Sequence, residues 1–102
     1  MWIIKSFNEL TTIELYTYLQ LRVNVFIVEQ SCPYPELDGY DQDSYHMAYI
    51  EDNKVLAYAR ILPAGIKYQR ISIGRVIVDQ KSRGQGLAKQ LMQKAIEFSQ
   101  KK

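Results

Sequence analysis

Arg83, Gly84, Gln85 and Gly86 stand just before Leu87, Ala88, Leu91, Met92, Ala95, Ile96 and Phe98, whose three- and four-residue spacing marks one apolar helical face. Ahead of them, Ile71, Ile73, Val76, Ile77 and Val78 are β-branched and suit a buried strand, which polar Asp79 to Ser82 ends. A strand, a glycine loop and a helix start in this order have a specific chemistry. Glycines let the backbone curl closely, and the first N–H groups of a helix have no intrahelical partners. Those donors and the positive helix end make an anion site best suited to phosphate. Lys81, Arg83 and Lys89 add positive charge at the same place. A Walker-type phosphate loop does not fit, because no Gly-Lys-Ser/Thr follows the glycines. The dinucleotide pattern Gly-x-Gly-x-x-Gly fails at its third glycine, where Lys89 stands.

The elements that must hold this junction can be read in chain order. Trp2 to Phe7 alternates weakly and predicts a first strand. Thr11 or Thr12 can cap a helix, and Thr11 with Glu14 forms a capping box. Ile13, Tyr16, Leu19, Val23 and Phe26 or Ile27 recur at helical spacing, so the helix runs from about residue 12 to about residue 26. Cys32-Pro33-Tyr34-Pro35 cannot continue it, and an acidic loop from Glu36 to Asp43 follows. Tyr45 to Ile50 and Val55 to Leu62 read as a hairpin around the turn Glu51 to Lys54. Lys67 to Val78 carries the next strand, with Gly74 marking a bulge or bend, and the last helix spans about Gly86 to about Gln100.

Composition narrows the function classes. A chain of 102 residues makes at most one small domain. A net charge of +2, with basic and acidic residues interspersed, gives no general pull toward nucleic acid or a membrane surface. The longest apolar runs are far short of a membrane span, and Met1 to Lys5 does not begin a signal peptide. The one cysteine, Cys32, excludes an intrachain disulfide and fits a reducing compartment, so a cytoplasmic location is expected. Cys32 has no paired base and reads as a bystander thiol, and no Cys/His cluster has metal-ligand spacing.

Arg83-x-x-Gly86-x-Ala88 resembles the acetyl-CoA signature of the GNAT N-acetyltransferases. Further blocks are similar to the ElaA-like branch of that superfamily: Leu21-Arg22-x-x-Val25-Phe26-Ile27-Val28-Glu29-Gln30, Cys32 to Asp41, His46, Ala57-Tyr58-Ala59-Arg60 and Ile73-Gly74-Arg75-Val76. The order β-α-β-β-β-α is the first part of the GNAT fold. The resemblance therefore implies an α/β (α+β) acyl-CoA N-acyltransferase fold with a mixed, mostly antiparallel sheet. Family members continue past the last helix with a strand beside the cofactor strand, so residues 1–102 read as an incomplete N-acetyltransferase domain whose strand Ile71 to Val78 has an open edge. Such an edge invites a homodimer or strand exchange.

The implied reaction transfers an acetyl group directly from acetyl-CoA, the co-substrate, to a primary amine of a small molecule or peptide. By resemblance, Val76, Ile77, Val78, Arg83, Gly84, Gln85, Gly86, Leu87 and Ala88 bind the cofactor, with pyrophosphate on the amides of Arg83 to Ala88. A backbone N–H of Ile77 or Val78 stabilises the charge on the thioester oxygen. Glu29, Glu36, Asp38, Asp41 and His46 are candidate bases, with Glu29, His46 and Asp38 foremost. Glu29 alternatively pairs with Arg22 or Arg75, and His46 alternatively makes a structural hydrogen bond. The acidic loop suggests attraction of a cationic amine, and Tyr34 and Tyr40 could line the acceptor side. The competing function is a non-catalytic CoA-binding or assembly fragment.

Overall fold

The computed structural model describes residues 1–31 and 35–101. Four strands, β1 (Trp2–Ser6), β2 (Tyr45–Glu51), β3 (Lys54–Leu62) and β4 (Ser72–Val78), form one sheet in the order β1-β2-β3-β4, each pair antiparallel. Two helices, α1 (Thr12–Arg22) and α2 (Leu87–Gln100), complete the framework. The β2–β3 turn falls at Asp52 and Asn53, both at positive φ (52° and 61°), as a tight two-residue hairpin turn requires.

Alternation along the strands divides the core into two layers. Met47, Ala57, Ala59 and Ile61 pack with Leu87, Leu91 and Ala95 of α2. Ala48, Tyr58 and Ile77 pack with Tyr18 and Val25 from the α1 segment. Neighbouring residues of one strand thus serve opposite faces, as a period of two demands. Small alanines at Ala57 and Ala59 let α2 approach the sheet.

The helix boundaries differ from expectation at one place. Thr11 caps α1 as the capping box predicts: its side chain accepts from the Glu14 N–H at 3.1 Å, and Glu14 accepts from the Thr11 N–H at 2.8 Å. The α-helix stops at Arg22, however, and Val23–Glu29 continues as a wider π-helical turn. Val23, Val25, Ile27 and Val28 are β-branched and disfavour tight α packing. Strand β4 begins at Ser72 rather than near Lys67, because Gly65 at φ +86° turns the chain and its N–H donates to the Tyr68 carbonyl at 2.8 Å.

The irregularity expected at Gly74 falls on the next residue. Arg60 pairs with Gly74 and Tyr58 with Ile77, so β4 carries one extra residue against β3, and Arg75 has φ 52°. Ile71, Ile73, Val76 and Val78 consequently all reach the α2 layer, although the alternation changes phase between Ile73 and Val76. That phase shift turns Arg75 toward the opposite face.

Candidate functional site

The glycine loop has the form its sequence predicts. Asp79 closes a short turn by accepting from the Lys81 N–H, Gly84 and Gly86 adopt φ +87° and +78°, and α2 starts from Gly86 with no side-chain cap. A Cβ at either glycine would meet no atom within 4 Å, so the requirement for glycine there is backbone conformation rather than space. The first turn of α2 contains no acid, and Arg83, Gly84, Gln85, Gly86, Ala88 and Lys89 are exposed while Leu87 anchors the helix in the core. The loop therefore presents unpaired donors and positive charge to solvent.

At the end of β4, the Asp79 N–H donates to the Leu56 carbonyl of β3 at 2.8 Å. By alternation the Ile77 N–H then faces β3, whereas the Val78 N–H and carbonyl face the open edge. The Val78 carbonyl accepts from Arg83 Nε at 3.0 Å. The same guanidinium reaches Glu29 at 3.0 Å and 3.5 Å, with both partners well exposed. Glu29 thus pairs with Arg83 of the loop, and the alternative partners read from sequence, Arg22 and Arg75, bond elsewhere.

Those two arginines belong to a buried ion cluster. Arg22, fully buried, donates from Nε to the Glu36 carboxylate at 2.7 Å, and from its two terminal nitrogens to Asp41 at 2.7 Å and to the Glu36 carbonyl at 3.0 Å. Arg60 makes a two-pronged pair with Asp38, both bonds 2.8 Å, and reaches Asp41 at 3.1 Å. Arg75 bonds Glu36 at 2.8 Å and Asp38 at 3.2 Å. Three arginines from α1, β3 and β4 thus meet three carboxylates of one loop, and the positions Tyr18, Arg22 and Val25 share the inward face of the helix that brings the first of them in. Glu36 Oε1 and the Tyr18 hydroxyl are buried without a hydrogen bond among the described residues.

This cluster changes the reading of the acidic loop. The expected pull on a cationic amine loses its basis, because each of Glu36, Asp38 and Asp41 is neutralised by arginine. Burial pushes the Asp38 carboxyl up, but hydrogen bonds from Arg60 and the Tyr40 N–H and the charge of Arg75 outweigh it and hold it well below the usual carboxylate range. Asp38 is accordingly a poor proton acceptor near neutrality.

His46 is also fully buried. Its Nε2 donates to the Asp41 carbonyl at 3.0 Å, so Nδ1 accepts from the Tyr58 hydroxyl at 2.7 Å. Burial, joined by the charges of Arg22 and Arg60, pushes its pKa down and favours the neutral ring. Tyr58 is pushed up by burial, and Tyr18, whose ring is nearly parallel to His46 and tilted against Tyr58, is pushed up to about 12 by burial and by Glu14. The structural hydrogen bond foreseen as an alternative for His46 is the arrangement found. Cys32 and Tyr34 lie outside the described residues; Tyr40 packs its ring 5.2 Å from Lys67 Nζ. Among the described residues no group of acids and histidines could hold a metal ion.

Sequence reading treated Arg22, Arg60 and Arg75 as separate family blocks and missed their convergence. One signal was available for Arg75: the apolar phase slips from odd positions at Ile71 and Ile73 to even ones at Val76 and Val78.

The comparisons with known proteins agree with this architecture. Residues 10–102 match the acetyltransferase (GNAT) family. Protein ElaA of Escherichia coli is 44% identical over 92 residues, covering 88% of this chain and 60% of that protein. An acyl-CoA N-acyltransferase from Pseudomonas aeruginosa superposes with a TM-score of 0.93 at 43% identity, over 99% of this chain and 70% of the other. The structure of Escherichia coli ElaA gives 0.91 at 40% identity, over 97% and 68% of the two chains. With its glycine loop, antiparallel sheet packed on both faces and aligned relatives, the chain belongs to the GNAT acetyltransferase family.

Proposed function

We propose that this protein is an acetyl-CoA-dependent N-acetyltransferase that moves an acetyl group directly to a primary amine. The observation that carries the reading is the junction at the end of β4: an outward Val78 N–H, two left-handed glycines and an uncapped α2, all within one short stretch. Residues Arg83 to Ala88 hold pyrophosphate on backbone N–H groups, helped by the loop's exposed cations. Val76 offers its outward backbone groups to the pantetheine arm as an added strand would, while the Val78 carbonyl stays on Arg83. The Val78 N–H donates to the carbonyl oxygen on which charge develops, so it is preferred over Ile77, whose N–H faces β3. Acetyl-CoA supplies the activated acyl group, and positioning of two bound reactants supplies much of the rate.

Glu29 is the proposed base. Its carboxylate is exposed and is held beside Val78 through Arg83. Phosphate drawing on Arg83 releases Glu29 to take the proton of the attacking amine. His46 and Asp38 instead hold the acceptor-side loop against the sheet. Calorimetric titration with acetyl-CoA, paired with a thiol-release assay over an amine panel, tests the reading. Binding with turnover supports it; binding without turnover favours a non-catalytic CoA-binding role; no binding by the folded chain removes the assignment of residues 83–88.

A further inference from the structure

One polar cavity takes no part in the chemistry above. It has a volume of about 160 Å³, is partly open to solvent, and draws its polar walls from Arg60, Lys67, Tyr68, Ser72, Gly74 and Arg75. That is room for a carboxylate or phosphate with adjoining carbons. No carboxylate lines it among the described residues. Arg60 and Arg75 are balanced by Asp38, Asp41 and Glu36, so the surplus charge comes from Lys67. Among the described residues Lys67 pairs with no acid; its ammonium lies 5.2 Å and 5.5 Å from the Tyr40 and Tyr68 ring centres. Aromatic faces steady a cation without neutralising it. The Gly65–Tyr68 turn folds Lys67 and Tyr68 back toward the first residues of β4. The Tyr68 and Ser72 hydroxyls supply neutral donors beside the charge.

We infer that this cavity binds the anionic group, a carboxylate or a phosphate monoester, of the amine acceptor and thereby sets the substrate class. The inference rests on the acetyltransferase reading for its placement. Gly74 and Arg75 precede Val78 on the same strand by roughly 10 to 13 Å at about 3.3 Å per residue. An anion held there reaches the reacting centre only if several bonds separate it from the amine. An α-amino acid, with both groups on one carbon, is too short.

The test uses this chain, acetyl-CoA and four length-matched acceptors: 6-aminohexanoate, 5-aminopentyl phosphate, 6-aminohexanamide and hexane-1,6-diamine. The carboxylate should exceed the amide about tenfold in kcat/KM, as one charge-assisted hydrogen bond predicts. Lys67→Gln should erase most of that gap through KM, and Lys67→Arg should retain it. A phosphate faster than the carboxylate identifies phosphate as the natural anion and equally supports the site. Equal rates for all four, or preference for the diamine, overturn it. A second readout needs no turnover. Titrating 6-aminohexanoate should shift the Tyr68, Ser72 and Gly74 amide NMR signals, and Lys67→Gln should abolish the shifts. Acetyl-CoA binding without those shifts overturns the anion site and leaves the acetyltransferase reading standing. The shifts without acetyl-CoA binding do the reverse.

Discussion

The Arg83–Glu29 pair makes opposite demands on binding and turnover. Exposed ion pairs contribute roughly 0.2 to 1 kcal/mol, so removing Glu29 frees Arg83 cheaply for phosphate. Glu29→Gln should therefore tighten acetyl-CoA binding up to about fivefold by calorimetry. The same variant should lower kcat by about a hundredfold, as loss of a base does. Weaker acetyl-CoA binding with unchanged kcat would contradict both assignments. Arg22 makes a different demand. It is fully buried between Glu36 and Asp41, and Arg22→Met leaves a buried cluster of three carboxylates facing only Arg60 and Arg75. That should cost about 3 to 5 kcal/mol in denaturant unfolding. Arg22→Lys should recover little, because an ammonium cannot reproduce the fork that spans Glu36 and Asp41.

At the scale of elements, the bulge in β4 decides what faces what. Without the extra residue at Arg75, either Ile73 or the pair Val76 and Val78 would leave the α2 layer. The bulge carries a non-glycine residue at φ 52°, a conformation that costs on the order of 1 kcal/mol or more. Arg75→Ala and Arg75→Gly both lose the links to Glu36 and Asp38, but only glycine relieves the backbone. Arg75→Gly should therefore be more stable than Arg75→Ala by roughly 1 kcal/mol in paired chemical unfolding curves. The reverse order would show that the bulge relaxes once the ion pairs go. At α1, Thr11→Ala removes the capping hydrogen bond to Glu14 and should cost about 1 kcal/mol.

For the whole molecule, stability should fall in acid in two stages. His46 and Asp38 both have lowered pKa values in the folded state. The unfolded chain then binds more protons, and stability must decrease as pH decreases. The His46 contribution is present above about 6.5, its ordinary value, and fades below it; the Asp38 contribution fades below about 4. Melting temperatures between pH 7.5 and 3.5 should show both stages, and His46→Gln should flatten the upper one. A flat curve from pH 7 to 5 in the parent protein would mean that the ring is not held neutral. Among the described residues β4 is the outer strand of the sheet, and under the proposed function its outer edge is where acetyl-CoA and a further strand would compete.

Local signals were enough for much of this protein. The glycine loop, the capping box, the hairpin turn and the apolar face of α2 each depend on residues within a few positions of one another, and the structure has them where the sequence puts them. The ion cluster was not legible, because Arg22, Glu36, Asp38, Asp41, Arg60 and Arg75 come from three elements and one loop and meet only when α1 and that loop fold onto one face of the sheet. Sequence alone presented the loop carboxylates as free acids, since charge shows in a sequence and its compensation does not. The bulge lay between these cases: its phase shift was visible in the apolar spacing, but which residue absorbed it depended on register against β3. Pairing over long separations, and the burial that gives each pair its strength, was decided by the tertiary structure.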